Sequence, residues 1–300
     1  MYVAVIINPI SGAQGHPEVA RHRVKLAIEL LTAEGIAHEV RVTERPGHAY
    51  ELARDAVERG AALVCAWGGD GTMNEVGRAV AFSSAALGLI PAGSGNGLAR
   101  ELNIPVGPER AIKTALHGVE RKIDVGEIGG QLFFNAAGIG FDAHIAHLFN
   151  SRAQKRRGPL PYLTIAAREL FSYRPSEYTI TVDGETMQLR ALLIALANSR
   201  QYGNGATVAP QARFDDGKLD LVVVKARSPL ATLREARRLF TGTLTKANGV
   251  VMRRAAQVTI TGASPLLFHV DGEPMSRADT PLTARLYPGV LKVKSGTPRV

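Results

Sequence analysis

Four short segments of the chain combine glycine, serine, threonine and asparagine, which offer backbone N–H groups and hydroxyls to a bound anion. They read NPISG at 8–12, a single threonine at 43, GGDGTMN at 68–74 and PAGSGNG at 91–97. Each follows a predicted strand, and two of them lead into predicted helices, whose N-termini favour anions. The pattern predicts a phosphate cradle built from several loops, although ordinary turns would explain any one segment alone.

The third of these segments places one carboxylate, Asp70, among the glycines at 68, 69 and 71. Bare backbone allows a phosphate to come close, whereas a carboxylate repels it. Asp70 therefore indicates either a divalent cation between carboxylate and phosphate, or a group that accepts a proton. The Gly-Lys pair at 217–218 is followed by leucine, so it does not form a Walker A loop, and the glycines at 93 and 95 lack the third glycine of a dinucleotide-binding fingerprint.

The elements that would position these segments alternate between strand and helix over the first third of the chain. Strands are predicted at 2–7, 37–42, 62–66 and 87–90, and helices at 18–34, 50–59, after Thr72 and from Gly97. Such alternation is typical of βαβ units and a parallel sheet, in which ligands bind beyond the carboxyl ends of the strands.

The pattern changes near residue 124 to β-rich runs separated by turn residues, with helical stretches at 161–171 and 230–240. We therefore predict an α/β domain over 1–123 and a mostly antiparallel β domain over 124–289. The final strand, within 290–300, could return to either domain.

Composition limits the functional classes. The 300 residues are 45% hydrophobic, carry a net charge of +9 and include one cysteine, which predicts a globular protein of a reducing compartment with acidic partners. The start resembles no signal peptide, and the longest uncharged stretch, 79–99, contains Pro91 and several glycines, so a cytoplasmic protein is expected. Aromatic residues make up only 6%, which argues against a single-stranded nucleic-acid binder.

The sequence resembles the diacylglycerol kinase catalytic family, which includes bacterial soluble lipid kinases and sphingosine kinases. GGDGT alone is weak support, because NAD kinases and phosphofructokinases carry a similar loop. The combination is more specific, and its motifs occur in the family's order over nearly the whole chain: NPISG (8–12), Thr43, GGDGTMNEV (68–76), PAGSGNGLAR (91–100), IDVG (123–126), NAAGIGFDA (135–143), DDGKLDL (215–221) and VDGEP (270–274).

The resemblance implies an α/β nucleotide domain, like those of NAD kinase and phosphofructokinase, followed by a lipid-binding β-sandwich. It implies Glu273 as the general base for a lipid hydroxyl, with a surface hairpin turn as the structural alternative and Asp70 as the competing base. The ATP site that it implies consists of Asn8, Pro9, Ser11, Gly12, Thr43, Gly68, Gly69, Asp70, Gly71, Thr72, Asn74, Ser94 and Asn96.

The resemblance also implies a structural Mg²⁺ held by Asp216 and the backbone carbonyl of Lys218, where hard oxygen ligands beside a sharp turn suit that ion. Some family members add a side-chain oxygen at the position of Arg213, which cannot be a ligand, so a hydrated turn is the alternative. Asp124 and Asp142 match family motifs that the resemblance places near the lipid head. The alternative is that both are buried structural aspartates.

Two basic clusters indicate either solvated faces or docking to an anionic membrane: Arg152, Lys155, Arg156 and Arg157, and Arg234, Arg237 and Arg238. The residues and the resemblance together favour an ATP- and Mg²⁺-dependent lipid kinase that phosphorylates diacylglycerol at a membrane surface, with no nucleic-acid partner. Because relatives often dimerise, the resemblance also implies a homodimer as one option. A sphingoid-base kinase, an NAD kinase-like enzyme and a non-catalytic nucleotide- or nucleic-acid-binding module are the alternatives.

Overall fold

A computed structural model describes residues 1–12, 17–152, 159–203, 205–275 and 279–297. The chain divides into two compact units. The first consists of Met1–Ile123 and Gly289–Val300, and the second of Asp124–Pro288.

The first unit is built on a parallel sheet in the order β2-β1-β3-β4. Its strands are β1 (Tyr2–Ile7), β2 (Ala37–Val42), β3 (Leu63–Gly68) and β4 (Ala86–Pro91). Every residue of β3 and β4 is buried, as expected where helices cover both faces of a parallel sheet. Because the strands are parallel, their carboxyl ends lie at one edge.

The helices of the first unit are α1 (Pro17–Ala33), α2 (His48–Glu58), α3 (Asp70–Val80), α4 (Gly97–Glu101) and α5 (Pro108–His117). The sequence analysis did not predict α5, although its boundaries carry the usual signals, with proline at its first position and Gly118 after its end. Cys65 on β3 is a buried core residue, and burial raises the pKa of its thiol to about 12.

The second unit is antiparallel, and its central strand β9 pairs with β7, β8 and β12. Its strands, with the two that it shares with the first unit, are β5 (Val119–Ile128), β6 (Gln131–Phe133), β7 (Ala136–Gly140), β8 (Ser176–Val182), β9 (Glu185–Ala197), β10 (Gln201–Gly203), β11 (Ala206–Thr207), β12 (Leu219–Lys225), β13 (Val250–Ala255), β14 (Gln257–Gly262), β15 (Phe268–Val270), β16 (Glu273–Pro274) and β17 (Leu282–Ser295). Alternate residues of these strands form its apolar core, among them Ile180, Leu196 and Val258.

Helices of the second unit are α6 (Phe141–Arg152), α7 (Pro159–Glu169), α8 (Pro229–Ala236) and α9 (Arg238–Thr241), and a 3₁₀ turn covers Leu244–Lys246. The helix predicted at 230–240 is divided at Arg237, and α6 was not predicted. Over the described ranges, no helix combines the length and apolarity needed to cross a membrane.

Two strands are shared between the units, since β5 starts in the first and β17 ends there. The early part of β17 pairs with β14, whereas Lys292 and Val293 pair in parallel with β4. The last strand thus extends the parallel sheet of the first unit. The predicted fold class, an α/β unit with a parallel sheet followed by a mostly antiparallel β unit, is confirmed.

Candidate active site

The NPISG loop follows β1 and is held by contacts within the first unit. The Asn8 side chain donates a 2.9 Å hydrogen bond to the hydroxyl of Thr72 on α3, and its own oxygen accepts from the backbone of Ile10. Arg23 on α1 donates to the Asn8 carbonyl and to the Ser11 hydroxyl, both at 2.8 Å. These bonds fix the loop against the start of α3.

Arg23 was not identified from the sequence, yet it is the only cation of the described part of the chain shown bonding this loop. Its guanidinium lies 5.9 Å from the ring centre of Trp67, and burial lowers its pKa. A partly buried cation beside a predicted phosphate site would attract a triphosphate.

Asp70 begins α3, and its carboxylate faces the next loop. One oxygen accepts from the Asn96 amide at 2.8 Å, and the second from the Gly97 amide at 2.7 Å. Asp70 therefore caps α4, which explains how a carboxylate can stand in a phosphate loop. Both oxygens of Asp70 are therefore engaged in holding the start of α4.

Among the described residues, no side chain caps the amides at the start of α3. The N-cap, Gly69, contributes no side-chain hydrogen bond, and the side chain of Asp70 turns away toward α4. The first amides of an α-helix have no partner within the helix, so they can bind phosphate oxygens.

Close packing between the loops accounts for glycine at several of these positions. A Cβ on Gly69 would lie 3.3 Å from the Cα of Gly93, and one on Gly95 would lie 2.4 Å from the Asp70 carboxylate. Asn96 closes its own loop, since its amide group both accepts from and donates to the backbone of Gly93. Approach of the backbone to phosphates remains a prediction for these positions.

The structure thus brings the predicted nucleotide residues together at one edge of the first unit's sheet. Thr43 follows β2 and donates its amide to the carbonyl of Ile7 at 2.9 Å. Glu75, which the sequence analysis did not single out, accepts the amides of Gly47 and Ala49 at 3.0 Å and so holds the start of α2 against α3. Ser94 is exposed between β4 and α4, and Gly71 and Asn74 lie on α3.

Glu273 lies in the second unit, where it begins β16 after a two-residue turn. Val270 pairs with Glu273 across that turn, and Asp271 and Gly272 both have positive φ angles, of 48° and 83°. This geometry is that of a type I′ hairpin, for which Asp-Gly is a preferred sequence. The Glu273 side chain is exposed, so it is accessible to a substrate.

The turn before Glu273 is anchored from two sides. The Asp271 carboxylate accepts the amides of Phe134, Asn135 and Ala136 at 2.8–3.2 Å. The Gly272 amide donates to Nδ1 of His269 at 3.3 Å. An accepting Nδ1 leaves the ring proton on Nε2, which donates to Asp142 at 3.1 Å.

A second hairpin of the same sequence offers an internal comparison. Residues 182–185 also read VDGE, with Val182 paired to Glu185 and with positive φ at Asp183 and Gly184. Asp183 is exposed, whereas Asp271 binds three amides. Turn sequence alone therefore does not distinguish the two hairpins, whereas the anchoring of Asp271 does.

Asp142 and Asp124 are both buried, with 5% and 3% of their surface exposed. Asp142 accepts from the Tyr202 hydroxyl, from His269 and from the Ala143 amide. Asp124 accepts the Gly217 amide at 2.7 Å. These contacts favour the structural interpretation of both residues over contact with a lipid head.

In the loop expected to bind Mg²⁺, the carboxylates are in contact with arginines. Asp216 contacts Arg254, and Asp215 accepts from Arg213 at 3.2 Å. Asp220 is buried, and burial raises the pKa of its carboxyl group. Among the described residues, no group of three or more histidine, cysteine or acidic side chains is arranged to hold a metal. The residues present do not fit the predicted structural Mg²⁺ site of Asp216 and the Lys218 carbonyl.

Comparisons with known proteins cover both units. The family described as "Diacylglycerol kinase catalytic domain" matches residues 2–128, and the "YegS C-terminal NAD kinase beta sandwich-like domain" matches 135–295. "Diacylglycerol kinase" of Bacillus subtilis (strain 168) is 30% identical over 90% of this chain and 88% of its own. "Probable lipid kinase YegS-like" of Chromohalobacter salexigens is 32% identical over 89% of this chain and 87% of its own.

Solved structures agree in fold. A chain described as a diacylglycerol kinase from Bacillus anthracis str. Sterne superposes with a TM-score of 0.74 at 22% identity, over 99% of this chain and 97% of its own. A second structure from the same organism superposes with a TM-score of 0.80 at 23% identity, and the coverage of both chains is the same. The glycine-rich loops, the anchored Glu273 hairpin and these matches place the chain in the diacylglycerol kinase and YegS-like family of lipid kinases, enzymes that use ATP as phosphoryl donor.

Proposed function

We propose that the protein transfers the γ-phosphoryl group of Mg²⁺·ATP to the free hydroxyl of a diacylglycerol and so produces phosphatidate. The observation that carries the proposal is Glu273, an exposed carboxylate on a hairpin whose turn is anchored through Asp271 and His269. The name of the relative from Bacillus subtilis supports diacylglycerol as the acceptor.

The first unit would bind the nucleotide. The amides that begin α3 and the NPISG loop, held by Arg23, offer donors and positive charge for the phosphates. Mg²⁺ would arrive as part of the substrate, bound to the triphosphate, and would reduce its negative charge. No described side chain is assigned to that ion.

The second unit would supply the base. As the lipid hydroxyl oxygen attacks the γ-phosphorus, Glu273 accepts the hydroxyl proton, and the bond between the γ-phosphorus and its bridging oxygen breaks to release ADP. The exposed position of Glu273 suits an acceptor whose hydroxyl is presented at a membrane surface.

The acceptor can be tested with radiolabelled ATP and a panel of diacylglycerol, sphingosine and NAD. We expect labelled phosphatidate as the main product, and its loss when EDTA removes Mg²⁺. Preferential labelling of sphingosine or NAD would contradict diacylglycerol as the substrate. ATP binding without transfer to any acceptor would instead indicate a non-catalytic module.

We also propose that α8 and α9 form a membrane-docking surface, which we call the α8–α9 surface. None of their residues is buried, and Leu230, Leu233 and Phe240 are 71%, 45% and 52% exposed. Arg234 and Arg237 are exposed beside them. Apolar side chains flanked by cations are typical of helices that lie in an anionic bilayer interface.

The remaining basic residues contribute less to this proposal. Arg238 forms an ion pair with Glu235, so its charge is partly compensated. Lys155, Arg156 and Arg157 of the other predicted cluster lie outside the described residues, and so does the side chain of Arg152.

Replacing Leu230, Leu233 and Phe240 together by serine should weaken sedimentation with anionic vesicles, because less apolar surface enters the interface. Arg234→Gln with Arg237→Gln should weaken it as well and flatten its salt dependence, since each cation near the surface contributes about 1 kcal/mol. Val106→Ser, at a residue 76% exposed in the first unit, is the matched control. Equal binding of all variants would refute the α8–α9 surface.

A further inference from the structure

The carboxylates of the 215–220 loop converge on one arginine. Arg254 on β13 lies directly across from Asp220 on β12 in the strand register. Its Nη2 contacts the Asp216 carboxylate, and its Nε lies 3.7 Å from Oδ1 of Asp220. One guanidinium therefore bridges two carboxylates that stand four positions apart in the sequence.

Asp220 needs such a cation. Its side chain is 1% exposed, and neither carboxylate oxygen has a hydrogen-bond partner in the described part of the chain. A buried carboxylate is costly unless a cation or donor compensates it. Arg254 is held opposite Asp220 by strand pairing, so the compensation is built into the sheet.

We propose that the Arg254 guanidinium is a built-in cation that takes the place of a structural divalent metal at the 215–220 loop. A second cation, Arg213, pairs with Asp215 at 3.2 Å. A divalent ion at Asp216 and Asp220 would have to displace the guanidinium, because like charges at contact distance repel. The second unit is thus stabilised at this loop without Mg²⁺.

The proposal is tested by thermal unfolding without nucleotide, in EDTA and along a Mg²⁺ and a Ca²⁺ series. The melting temperature of the parent protein should be the same in EDTA and in either metal. Arg254→Ala should lower it by about 4–10 °C in EDTA, since removal of one partner leaves a buried carboxylate uncompensated. Added metal should then raise it progressively, as a ligand that binds the folded state does.

Two further variants make the result specific. Arg253→Ala removes the neighbouring arginine of β13, which is exposed and bonds only a backbone carbonyl among the contacts described, and should neither destabilise strongly nor create a metal response. Asp216→Asn combined with Arg254→Ala should abolish the rescue by metal.

A parent protein that melts higher in Mg²⁺ than in EDTA, with no larger response in Arg254→Ala, would overturn the proposal. So would an Arg254→Ala protein that melts like the parent in EDTA. Both measurements omit ATP and lipid, so they are independent of whether the protein phosphorylates diacylglycerol.

Discussion

Glu273→Gln should lower the turnover of phosphoryl transfer by about 10²–10⁴-fold, the range typical for loss of a general base. Glutamine keeps the shape of the side chain and removes its ability to accept the proton of the lipid hydroxyl. The change falls in the second unit, whereas the loops proposed for ATP belong to the first, so the Kd for ATP should stay near that of the parent. Stopped assays at saturating ATP and lipid give the turnover, and nucleotide titration gives the Kd.

Glu185→Gln is the matched control for this prediction, because Glu185 is the last residue of the other VDGE turn and is also exposed. Its turnover should equal that of the parent. If both glutamine variants keep parental turnover, Glu273 is a surface hairpin residue and the base lies elsewhere. If both lose activity equally, the effect comes from surface charge and not from proton transfer.

His269 should support the same proton transfer indirectly, by positioning the turn that precedes Glu273. Its Nδ1 accepts the Gly272 amide, and its Nε2 donates to the buried Asp142, so the ring ties the turn before Glu273 to α6. The motif that precedes Glu273 predicted a hairpin, but the tie depends on residues 127 positions apart. No local pattern reports a contact of that kind.

The features that the sequence predicted most successfully, the loops and the fold class, are those defined by local geometry. Glycine, serine and asparagine after each apolar run predicted loops at the carboxyl ends of the strands, and hydrogen bonds and backbone packing join those loops in the first unit. The fold class followed from alternating strand and helix patterns, which are also local. The helix α5 was missed although Pro108 and Gly118 mark its ends.

The assignments that differ from expectation concern charged side chains whose partners are distant in sequence. Asp216 was expected at a metal, and it contacts Arg254, 38 residues later. Arg254 follows Arg253 in a strand with no motif, so only the register with Asp220 reveals its role. Asp142 was a candidate for the lipid head, and Tyr202 and His269 enclose it instead.

Asp70→Asn should impair ATP binding and, through it, catalysis. In the parent both carboxylate oxygens accept backbone amides at the start of α4, at 2.7 and 2.8 Å. Asparagine replaces one oxygen by an NH₂ group, which cannot accept, so one amide loses its partner. Hydrogen bonds to charged groups contribute about 1.5–3 kcal/mol. We expect the Kd for ATP to rise about 10–100-fold, because 1.4 kcal/mol corresponds to a factor of ten.

Measuring the Kd for ATP and the turnover of the same variant distinguishes this positioning role from proton transfer. If Asp70 were the base, asparagine would lower turnover and leave ATP affinity unchanged, as we expect for Glu273→Gln. A second variant, Gly95→Ala, keeps the Asp70 charge but places a Cβ 2.4 Å from its carboxylate. It should weaken ATP binding in the same direction, because the carboxylate must move away from the α4 amides.

Gly107→Ala is the control for Gly95→Ala, since its Cβ would meet nothing closer than 3.5 Å and ATP affinity should be unchanged. Parental ATP affinity in both Asp70→Asn and Gly95→Ala would show that the contact between Asp70 and α4 does not shape the nucleotide site. Loss of turnover alone in Asp70→Asn, with Glu273→Gln active, would transfer the role of base to Asp70.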